Sequence, residues 1–408
     1  MKIKLVAVSL VCVLFLSSCT GAKSVLANTP GHLTKIDYTA SIDSSEANRL
    51  NTFAVELYKQ LYKDNENLFI SPASIYLALG MIYNGANGKT AEEMANVLDA
   101  TGLSLDEFNN LSCDLQNVII GNDKSKFELA NSIWMRDSFK DVVKQSFLDR
   151  DKEYYGAMVA SLDFNKASSV NTINNWVKDN TKGKITKAID GSIDPTTVMY
   201  LINTIYFKAN WKEPFEANKT QEADFTTPNE TKKVKMMNAE IYQGYIENDL
   251  LQGVMLPYED NKTSMFILLP KENQPNFQSE ITTENLTTWI NQMKSKRVAV
   301  NLELPKINLE YDTNLIPALY AMGMSAAFGD GANFSNMADA GLYIGEAEHK
   351  SFLAVDEKGT EAAAMTNVAM HGGDMIITNN MIINHPFILG IVDDNSGAIL
   401  FLGSITNP

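Results

Sequence analysis

The chain has 408 residues, of which 45% are hydrophobic and 20% are charged, and its formal net charge is −15. This composition is that of an ordinary globular protein. An acidic surface repels phosphate backbones, so the charge argues against nucleic acid as a partner. No interior linker rich in Pro, Gly or Ser divides the sequence, which favours one large α+β domain over two or three.

The N-terminus has the features of a targeting segment. Two lysines precede a short apolar run, Leu5–Leu16, and the following Leu16-Ser-Ser-Cys19 resembles a bacterial lipobox. The apolar run is too short for a comfortable transmembrane helix. We therefore predict a lipoprotein signal peptide at residues 1–18 and a lipid-modified Cys19 that anchors the protein to the membrane at the cell surface, outside the cytoplasm. A plain secretory signal, and hence a secreted protein, is the alternative.

The segment after the signal peptide differs in composition from the rest of the chain. Residues 19–45 are rich in Ser, Thr, Ala and Asn, which predicts a flexible tether to a single domain at residues 46–408. Cys113 is the one cysteine in that domain, so no disulfide is expected and the core must hold the fold. Its helical spacing with Leu111 and Leu115 predicts a buried structural thiol.

The first part of the domain has the periodicity of helices. Apolar residues recur at helical spacing over residues 48–63. Ser71-Pro72 begins a second helical segment that extends to about Tyr83, with proline in the tolerated first turn. Thr90 and Glu93 have the spacing of a capping box, which predicts a third helix beginning at Thr90.

The remainder of the domain is richer in strands. Residues 127–135 and 197–207 predict strands, and residues 234–304 alternate strand patterns with turns. Asp312–Met322 predicts a helix. Two apolar strands follow near the C-terminus, separated by the hairpin signal Asp393–Gly397. Helices that precede a strand-rich half are typical of an α+β fold with large mixed sheets.

The segment Val355–Met370 is the most informative one in the chain. Every second residue from Thr360 is small or apolar and none is charged, which is the alternation of a strand with one buried face. Three consecutive alanines, Ala362–Ala364, are unusual in an ordinary strand. Small side chains after Gly359 suit a segment that slides between two existing strands, where large side chains would clash.

The sequence lacks the common motifs of catalysis and metal binding. It contains no Gly-x-Ser-x-Gly, no His-Glu-x-x-His and no Cys-x-x-Cys, and it has only four histidines. Gly85–Thr90 does not form a phosphate loop, because Tyr83 stands where the first glycine is required. We therefore expect neither an enzyme nor a cofactor or metal site.

Four separated blocks resemble the serpin family of protease inhibitors. Asp356–Ala364 resembles the serpin hinge, and His385–Pro408 resembles the C-terminal signature of the family. Asn67–Met94 is similar to an early conserved helix, and Leu201–Phe215 to the central strand of the main sheet. The resemblance covers almost the whole chain. It implies helices packed on a large mixed main β-sheet, smaller sheets, and an exposed reactive-centre loop at about residues 357–380.

The resemblance also implies an inhibitor that acts once. In serpins a serine protease attacks the loop and forms an acyl-enzyme, and the loop then inserts into the main sheet and carries the trapped protease with it. We therefore expect a covalent complex with a serine protease, with cysteine proteases as a second class of target, and a monomeric inhibitor. The matching hinge residues are Glu357, Gly359, Thr360, Glu361, Ala362, Ala363 and Ala364.

Two ways of counting place the scissile bond differently. Family spacing forward from Glu357 gives Gly373-Asp374, whereas spacing back from His385 gives Met375-Ile376, because this loop is slightly longer than the commonest pattern. Met370 is a third candidate. Methionine before the bond would suit elastase-, chymotrypsin- or subtilisin-like proteases, whose pockets are apolar. The loop has no basic residue there, so a trypsin-like target is not expected.

The resemblance implies two further clusters. The breach, where insertion begins, is matched by Trp211, with an ion pair between Glu357 and Lys306 at the hinge base. The shutter, a buried polar cluster beneath the sheet, is matched by Ser71, Ser74, Asn203 and His349. The alternative function is a non-inhibitory serpin-fold binding protein that proteases cleave as a substrate, and a hydrolytic enzyme is the least favoured.

Overall fold

The computed structural model describes residues 41–120, 126–272, 274, 276–360 and 379–408. Within these residues the helices are α1 (Ser44–Leu61), α2 (Pro72–Tyr83), α3 (Gly88–Val97), α4 (Leu105–Ile120), α5 (Gln145–Tyr155), α6 (Ala167–Asn180), α7 (Thr283–Ser295) and α8 (Ile316–Ala321). The strands are β1 (Leu68–Ile70), β2 (Lys126–Arg136), β3 (Met158–Leu162), β4 (Met199–Asn210), β5 (Gln221–Thr226), β6 (Thr231–Glu247), β7 (Leu251–Pro257), β8 (Thr263–Pro270), β9 (Arg297–Pro305), β10 (Ile307–Asn314), β11 (Glu348–Asp356), β12 (Gly359–Thr360), β13 (Asn379–Ile382), β14 (Phe387–Asp393) and β15 (Ile399–Ile405).

Side-chain caps explain where the first two helices begin. The Asp43 carboxylate accepts from the backbone N–H groups of Ser45 and Glu46, and Glu46 accepts in return from the Asp43 N–H at 2.7 Å. This capping box starts α1 about a turn before the predicted boundary. Helix α2 begins at Pro72 with Ser71 as its N-cap, as predicted.

The predicted start of the third helix is wrong. Helix α3 begins at Gly88, and the Asn87 side chain caps it by accepting from the Gly88 N–H at 2.8 Å. Thr90 is fully buried inside the helix. Glu93 accepts from the Ala326 N–H at 2.6 Å, in a distant segment. A tertiary contact therefore takes the carboxylate that the sequence pattern assigns to a capping box.

The predicted helix Asp312–Met322 is too long at both ends. Asp312–Asn314 belong to β10, whose residues pair one by one with those of β11, and the helix is Ile316–Ala321. Pairing with a strand distant in sequence overrides the local helical pattern here.

The strands predicted at residues 127–135 and 197–207 agree with the structure, whereas residues 234–304 hold not only strands and turns but also helix α7, which the strand pattern did not predict. Strand β2 covers residues 127–135, and β4 begins within residues 197–207 and extends to Asn210. Strands β14 and β15 form the predicted hairpin, in which the Gly397 N–H donates to the Asp393 carbonyl at 2.9 Å. Gly397 has φ +80°, a conformation that favours glycine.

The strands form two mixed sheets. The nine-stranded sheet has the order β1-β15-β14-β8-β7-β6-β9-β13, with β5 paired to β6, and the six-stranded sheet has the order β10-β11-β12-β4-β2-β3. Strand β13 runs parallel to β9, and β3 runs parallel to β2. This architecture confirms the predicted α+β class, with a large mixed sheet, a smaller sheet and packed helices.

Helix α2 lies at the centre of the core, between the two sheets. It contacts β4 of the six-stranded sheet and β15 of the nine-stranded sheet. Its Tyr76 ring packs against Phe53 of α1 and Phe108 of α4, with centroid distances of 5.6 and 5.4 Å. A helix that is apolar on nearly all sides is stable only when it is buried. Helix α2 therefore holds the two sheets together from inside.

Candidate functional site

In the described residues, the centre of the six-stranded sheet has a strand between β11 and β4 at one end only. Strand β12 lies between β11 and β4: Gly359 pairs with Asp356 and Asn210, and Thr360 with Val355 and Ala209. Beyond this hinge end, no described strand joins β4 to β11. We call the space between Met199–Lys208 of β4 and Glu348–Ala354 of β11 the slot.

Gly359 brings the hinge backbone into close contact with β4. A Cβ atom at this position would stand 2.1 Å from the Ala209 carbonyl oxygen and 2.7 Å from the Asn210 Cα. A larger residue would therefore push the hinge out of the sheet. The next side chain, Thr360, is 3% exposed, and its hydroxyl lies 2.6 Å from the Tyr258 hydroxyl. The even-numbered face of the hinge strand thus points into the core.

Trp211 fixes the turn that precedes the hinge strand. Its indole stacks on Tyr258, with ring centroids 4.7 Å apart. Its ring N–H donates to the Asp356 carbonyl at 3.0 Å, and its backbone N–H donates to the Lys358 carbonyl at 2.7 Å. The structure therefore brings the predicted breach tryptophan directly to the base of the hinge.

Glu357 is held as a carboxylate at the same place. Its Oε2 lies 2.7 Å from the Lys306 Nζ, and its Oε1 accepts from the Thr220 hydroxyl at 2.7 Å. Burial favours the neutral acid, but the hydrogen bonds from Lys306 and Thr220 outweigh it and hold the pKa of Glu357 below its ordinary value. The carboxylate anchors the chain just before the hinge strand β12.

The four predicted shutter residues meet beneath the slot. The buried His349 Nε2 on β11 accepts from the Ser71 N–H at 3.2 Å, and the Ser71 hydroxyl donates to the Leu400 carbonyl at 2.9 Å. Ser74 hydrogen-bonds through its hydroxyl to Asn203 on β4. The cluster thus reaches both edges of the slot from the start of α2. Burial lowers the pKa of His349 to about 4, so the imidazole is a neutral acceptor near pH 7.

Sequence reasoning missed the part of this polar network that lies deeper in the protein. Asn203 Nδ2 donates to Asn131 on β2 at 2.6 Å, and Asn131 Nδ2 donates to Gln116 on α4 at 3.1 Å. Nearby, the Asn84 amide donates to Asp151 on α5 at 2.7 Å, and burial raises the pKa of Asp151 well above its ordinary value. A lone asparagine in the apolar strand pattern around Asn131 was the available signal.

Two neighbouring cavities lie along the slot. One of 160 Å³ lies between α2 and the slot edges and is lined by Ser74, Asn203 and His349 among others. The other, of 410 Å³, lies at the end of the slot farthest from the hinge and includes Met199 and Gly345 in its lining. The two share lining residues, among them Tyr200 and Leu201 of β4, so they lie next to each other along the slot.

A segment that follows α6 crosses the outer face of the slot. We call residues 184–190 the strap. Ile189 packs in a small apolar cluster with Tyr200 of β4, Asp190 lies 3.2 Å from the Lys350 Nζ of β11, and the Lys184 Nζ lies 4.7 Å from the centre of the Phe352 ring. The strap thus touches both edges of the slot on the side opposite to α2.

Several predicted residues lie outside the described part of the chain. They are Cys19, Glu361, Ala362, Ala363, Ala364, Gly373, Asp374, Met375 and Ile376. Cys113, on α4, is half-buried rather than fully buried as predicted. Within the described residues, no group of three His, Cys, Asp or Glu side chains is placed to hold a metal ion. No helix of that part combines the length and apolar character needed to cross a membrane.

Comparison with known families identifies the fold. Residues 48–408 match the family described as Serpin (serine protease inhibitor). The chain is a serpin. This family membership accounts for the arrangement described above, in which a short hinge strand begins to fill a position between β4 and β11.

Individual relatives agree with this assignment over most of their length. The leukocyte elastase inhibitor of Bos taurus is 35% identical over 376 residues, covering 87% of this serpin and 97% of the relative. The native state of tengpin, a thermophilic serpin, superposes with a TM-score of 0.83 at 33% identity, covering 94% and 99% of the two chains. A thyroxine-binding globulin in complex with thyroxine superposes with a TM-score of 0.78 at 28% identity, covering 89% and 99%.

Proposed function

We propose that this serpin inhibits serine proteases, with cysteine proteases as a second class, by inserting its cleaved loop into the slot and trapping the acyl-enzyme. The observation that carries the proposal is a strand position between β4 and β11 that Gly359 and Thr360 fill at one end and that no other described strand fills. A sheet with an unfilled central position is less stable than the same sheet with an added strand. The difference in free energy is available to do mechanical work on a bound protease.

The register of the hinge strand predicts where each following residue would go. If the pairing of Thr360 with Ala209 and Val355 continues, Ala364 would stand between Ile205 and Ser351. Two residues further, Thr366 would stand between Asn203 and His349. Even-numbered residues would share the core-facing side of Thr360. A hydroxyl would thereby arrive at the polar shutter, where it can hydrogen-bond to groups on both strands.

The same register matches larger side chains to larger spaces. Val368 would stand between Leu201 and Ala347, and Met370 between Met199 and Gly345, in the lining of the 410 Å³ cavity. Small residues would thus enter where the hinge is tight, and methionine would reach the widest part. Filling a cavity with apolar side chains favours the inserted state.

The length of the loop sets how far a protease would move. The residues that would carry the acyl group, Gly373 and Met375, stand 13 and 15 positions after Thr360. An extended strand rises about 3.3 Å per residue, so insertion would carry the acyl-enzyme roughly 45–50 Å from the hinge end. The ester formed with the protease serine must persist during this movement. Insertion therefore has to be faster than hydrolysis of the acyl-enzyme.

The target class follows from the residue before the scissile bond. Met375 favours elastase-, chymotrypsin- or subtilisin-like proteases, whose primary pockets are apolar, and Gly373 remains the second candidate. The similarity to the leukocyte elastase inhibitor supports an elastase-like target. We also propose a monomeric inhibitor.

A non-inhibitory binding protein is the second candidate function. The observation that favours it is the similarity to thyroxine-binding globulin, a serpin-fold protein solved with a small ligand bound. Such a protein would be cleaved in its loop without trapping the protease. The absence of charged residues on the even-numbered positions from Thr360 to Met370 favours the inhibitor.

We further propose that the mature protein is lipid-anchored at Cys19 on the outer side of the membrane. The Leu16-Ser-Ser-Cys19 motif supports this location. Detergent-phase partitioning of the expressed wild type and of Cys19→Ser tests it. We expect the wild type in the detergent phase and the variant in the aqueous phase. Equal aqueous partitioning would favour a secreted protein.

The test of function is incubation of the mature protein with elastase, chymotrypsin, subtilisin and trypsin, followed by denaturing electrophoresis. We expect a covalent band near the summed masses with at least one of the first three, and the mass of the released peptide identifies the scissile bond. The cleaved form should melt roughly 20 °C higher, since about ten new backbone hydrogen bonds at about 1 kcal/mol each add to its stability. Cleavage by every protease without a covalent band or a rise in Tm would rule out the inhibitor.

A further inference from the structure

One face of the nine-stranded sheet exposes large apolar side chains beside carboxylates. Tyr242 on β6 is 53% exposed and Ile382 on β13 is 42% exposed, and both are among the few large hydrophobic side chains exposed in the described residues. Register places them on one side of the sheet. Tyr242 shares its face of β6 with Glu240, which pairs with Asn301 of β9. Asn301 pairs in turn with Asn380 of β13, and Ile382, two residues further, stands beside Glu303 of β9. We call this surface the β6–β9–β13 face.

The face has acidic groups without an ion-pair partner among the described residues. No salt bridge in the described residues includes Glu240 or Glu303; Lys219 is near enough for the charge of Glu240 to raise its pKa, but its ammonium group pairs with Glu216 at 2.8 Å. Arg297, on the same side of β9, stands at the far end of the face opposite Gly244. Two carboxylates next to an exposed tyrosine are suited to a partner that carries Lys or Arg beside apolar groups.

The face adjoins the C-terminal end of the reactive loop. Strand β13 begins at Asn379, which is the fourth residue after the bond Met375-Ile376 and the sixth after Gly373-Asp374. At about 3.3 Å per residue, the bond lies within roughly 10–20 Å of Asn379. A protease domain of about 230 residues has a radius of gyration of about 17 Å. A protease bound at either candidate bond therefore extends over this face.

We propose that the β6–β9–β13 face is a secondary contact surface for the target protease, and that it selects proteases with basic residues at the rim of the active-site cleft. The inference rests on the proposed inhibitory function. A stable protein–protein interface buries about 800 Å² on each partner, more than an extended loop in the active site supplies alone. An exposed tyrosine is a frequent centre of binding energy, and acidic groups around it accelerate encounter with a basic surface.

The experiment measures the rate of covalent-complex formation between the mature protein and the elastase or subtilisin that it traps. Tyr242→Ala should slow the rate about tenfold. Glu240→Gln/Glu303→Gln should slow it about fivefold at low salt and weaken its salt dependence. The matched controls are Tyr320→Ala and Glu92→Gln/Asp330→Asn. They should stay within about twofold of wild type, because Tyr320 is 59% exposed on α8, far from the hinge.

The outcomes separate this inference from the proposed function. The fraction of encounters that end in trapping should be the same in all variants, because the face acts before the loop inserts. With two proteases of equal apolar specificity, one basic and one acidic, the glutamate variants should slow only the basic one. Rates indistinguishable from the controls, while the wild type still traps the protease, would overturn the contact surface alone. A wild type that traps no protease would overturn both proposals.

Discussion

The two sheets of this serpin differ in how completely their strands are paired. In the nine-stranded sheet every residue of β14 and β15 is buried. Gly390 lies so close to its neighbours that a Cβ would stand 2.4 Å from the Phe266 ring. In the six-stranded sheet, β4 and β11 face an open slot with a polar cluster beneath it and 160 and 410 Å³ of empty space.

This difference assigns distinct roles to the two halves of one core. The nine-stranded sheet buries the apolar side chains of β14 and β15 completely, and such burial favours folding. The six-stranded sheet leaves strand edges that a further strand can pair with. The nine-stranded sheet is therefore fully packed, whereas the six-stranded sheet would become more stable if a further strand paired with β4 and β11. Changes confined to the slot should affect trapping more than folding.

The largest effect is expected from a charge placed on the core-facing side of the inserting strand. Ala364→Glu should abolish trapping, with at least about a 100-fold loss of covalent complex, because an unpaired carboxylate would be buried between Ile205 and Ser351. Ala363→Glu, on the outward face, is the matched control and should retain most of the activity. Covalent-complex yield on a denaturing gel measures both. The opposite order would show that the register is slipped by one residue.

A second test uses pH to destabilise the polar cluster beneath the slot without changing the sequence of the loop. The pKa of His349 is about 4 in the folded protein, below the ordinary value of 6.5, so the native state favours neutral imidazole. The free energy of unfolding should therefore be highest above pH 6.5 and should fall as pH drops from 6.5 to 4, by roughly 3 kcal/mol in total.

Comparison with a variant isolates this contribution from other titrating groups. Urea unfolding of the wild type and of His349→Gln at pH 7 and pH 4.5 measures it. The wild type should lose more stability than the variant over this interval. Equal losses in the two proteins would place the acid sensitivity outside the slot, for example at Glu357, whose pKa is held below its ordinary value in the folded protein.

The smallest expected effect concerns the strap. Lys350→Ala removes the ion pair with Asp190, which crosses to β11. Lys187→Ala is the control, because Lys187 and Asp190 belong to the same segment and their pair at 3.9 Å does not cross the slot. An exposed pair is worth about 0.2–1 kcal/mol, so Lys350→Ala should speed insertion about twofold to fivefold. Stopped-flow fluorescence of a labelled loop measures the rate, and equal rates in both variants would show that the strap does not restrain insertion.

Local signals in the sequence predicted some elements and misplaced others. Ser71-Pro72 correctly marks the start of α2, because cap and proline act within one turn. Thr90 and Glu93 have the same local form but do not begin α3, since Glu93 bonds to Ala326 more than two hundred residues away. Asp312–Asn314 join a strand for the same reason. Contacts of this kind cannot be read from a window of neighbouring residues.

The sequence by itself indicated the family, because four separated blocks resemble it, and the same resemblance predicted which residues form the hinge and the shutter. Only the tertiary structure decided how far the hinge enters the sheet, at Gly359 and Thr360, and which strands it separates. It also decided that the polar network continues through Asn131 and that the strap crosses the slot. These features join elements distant in the chain, and the packing of both sheets on α2 brings them together.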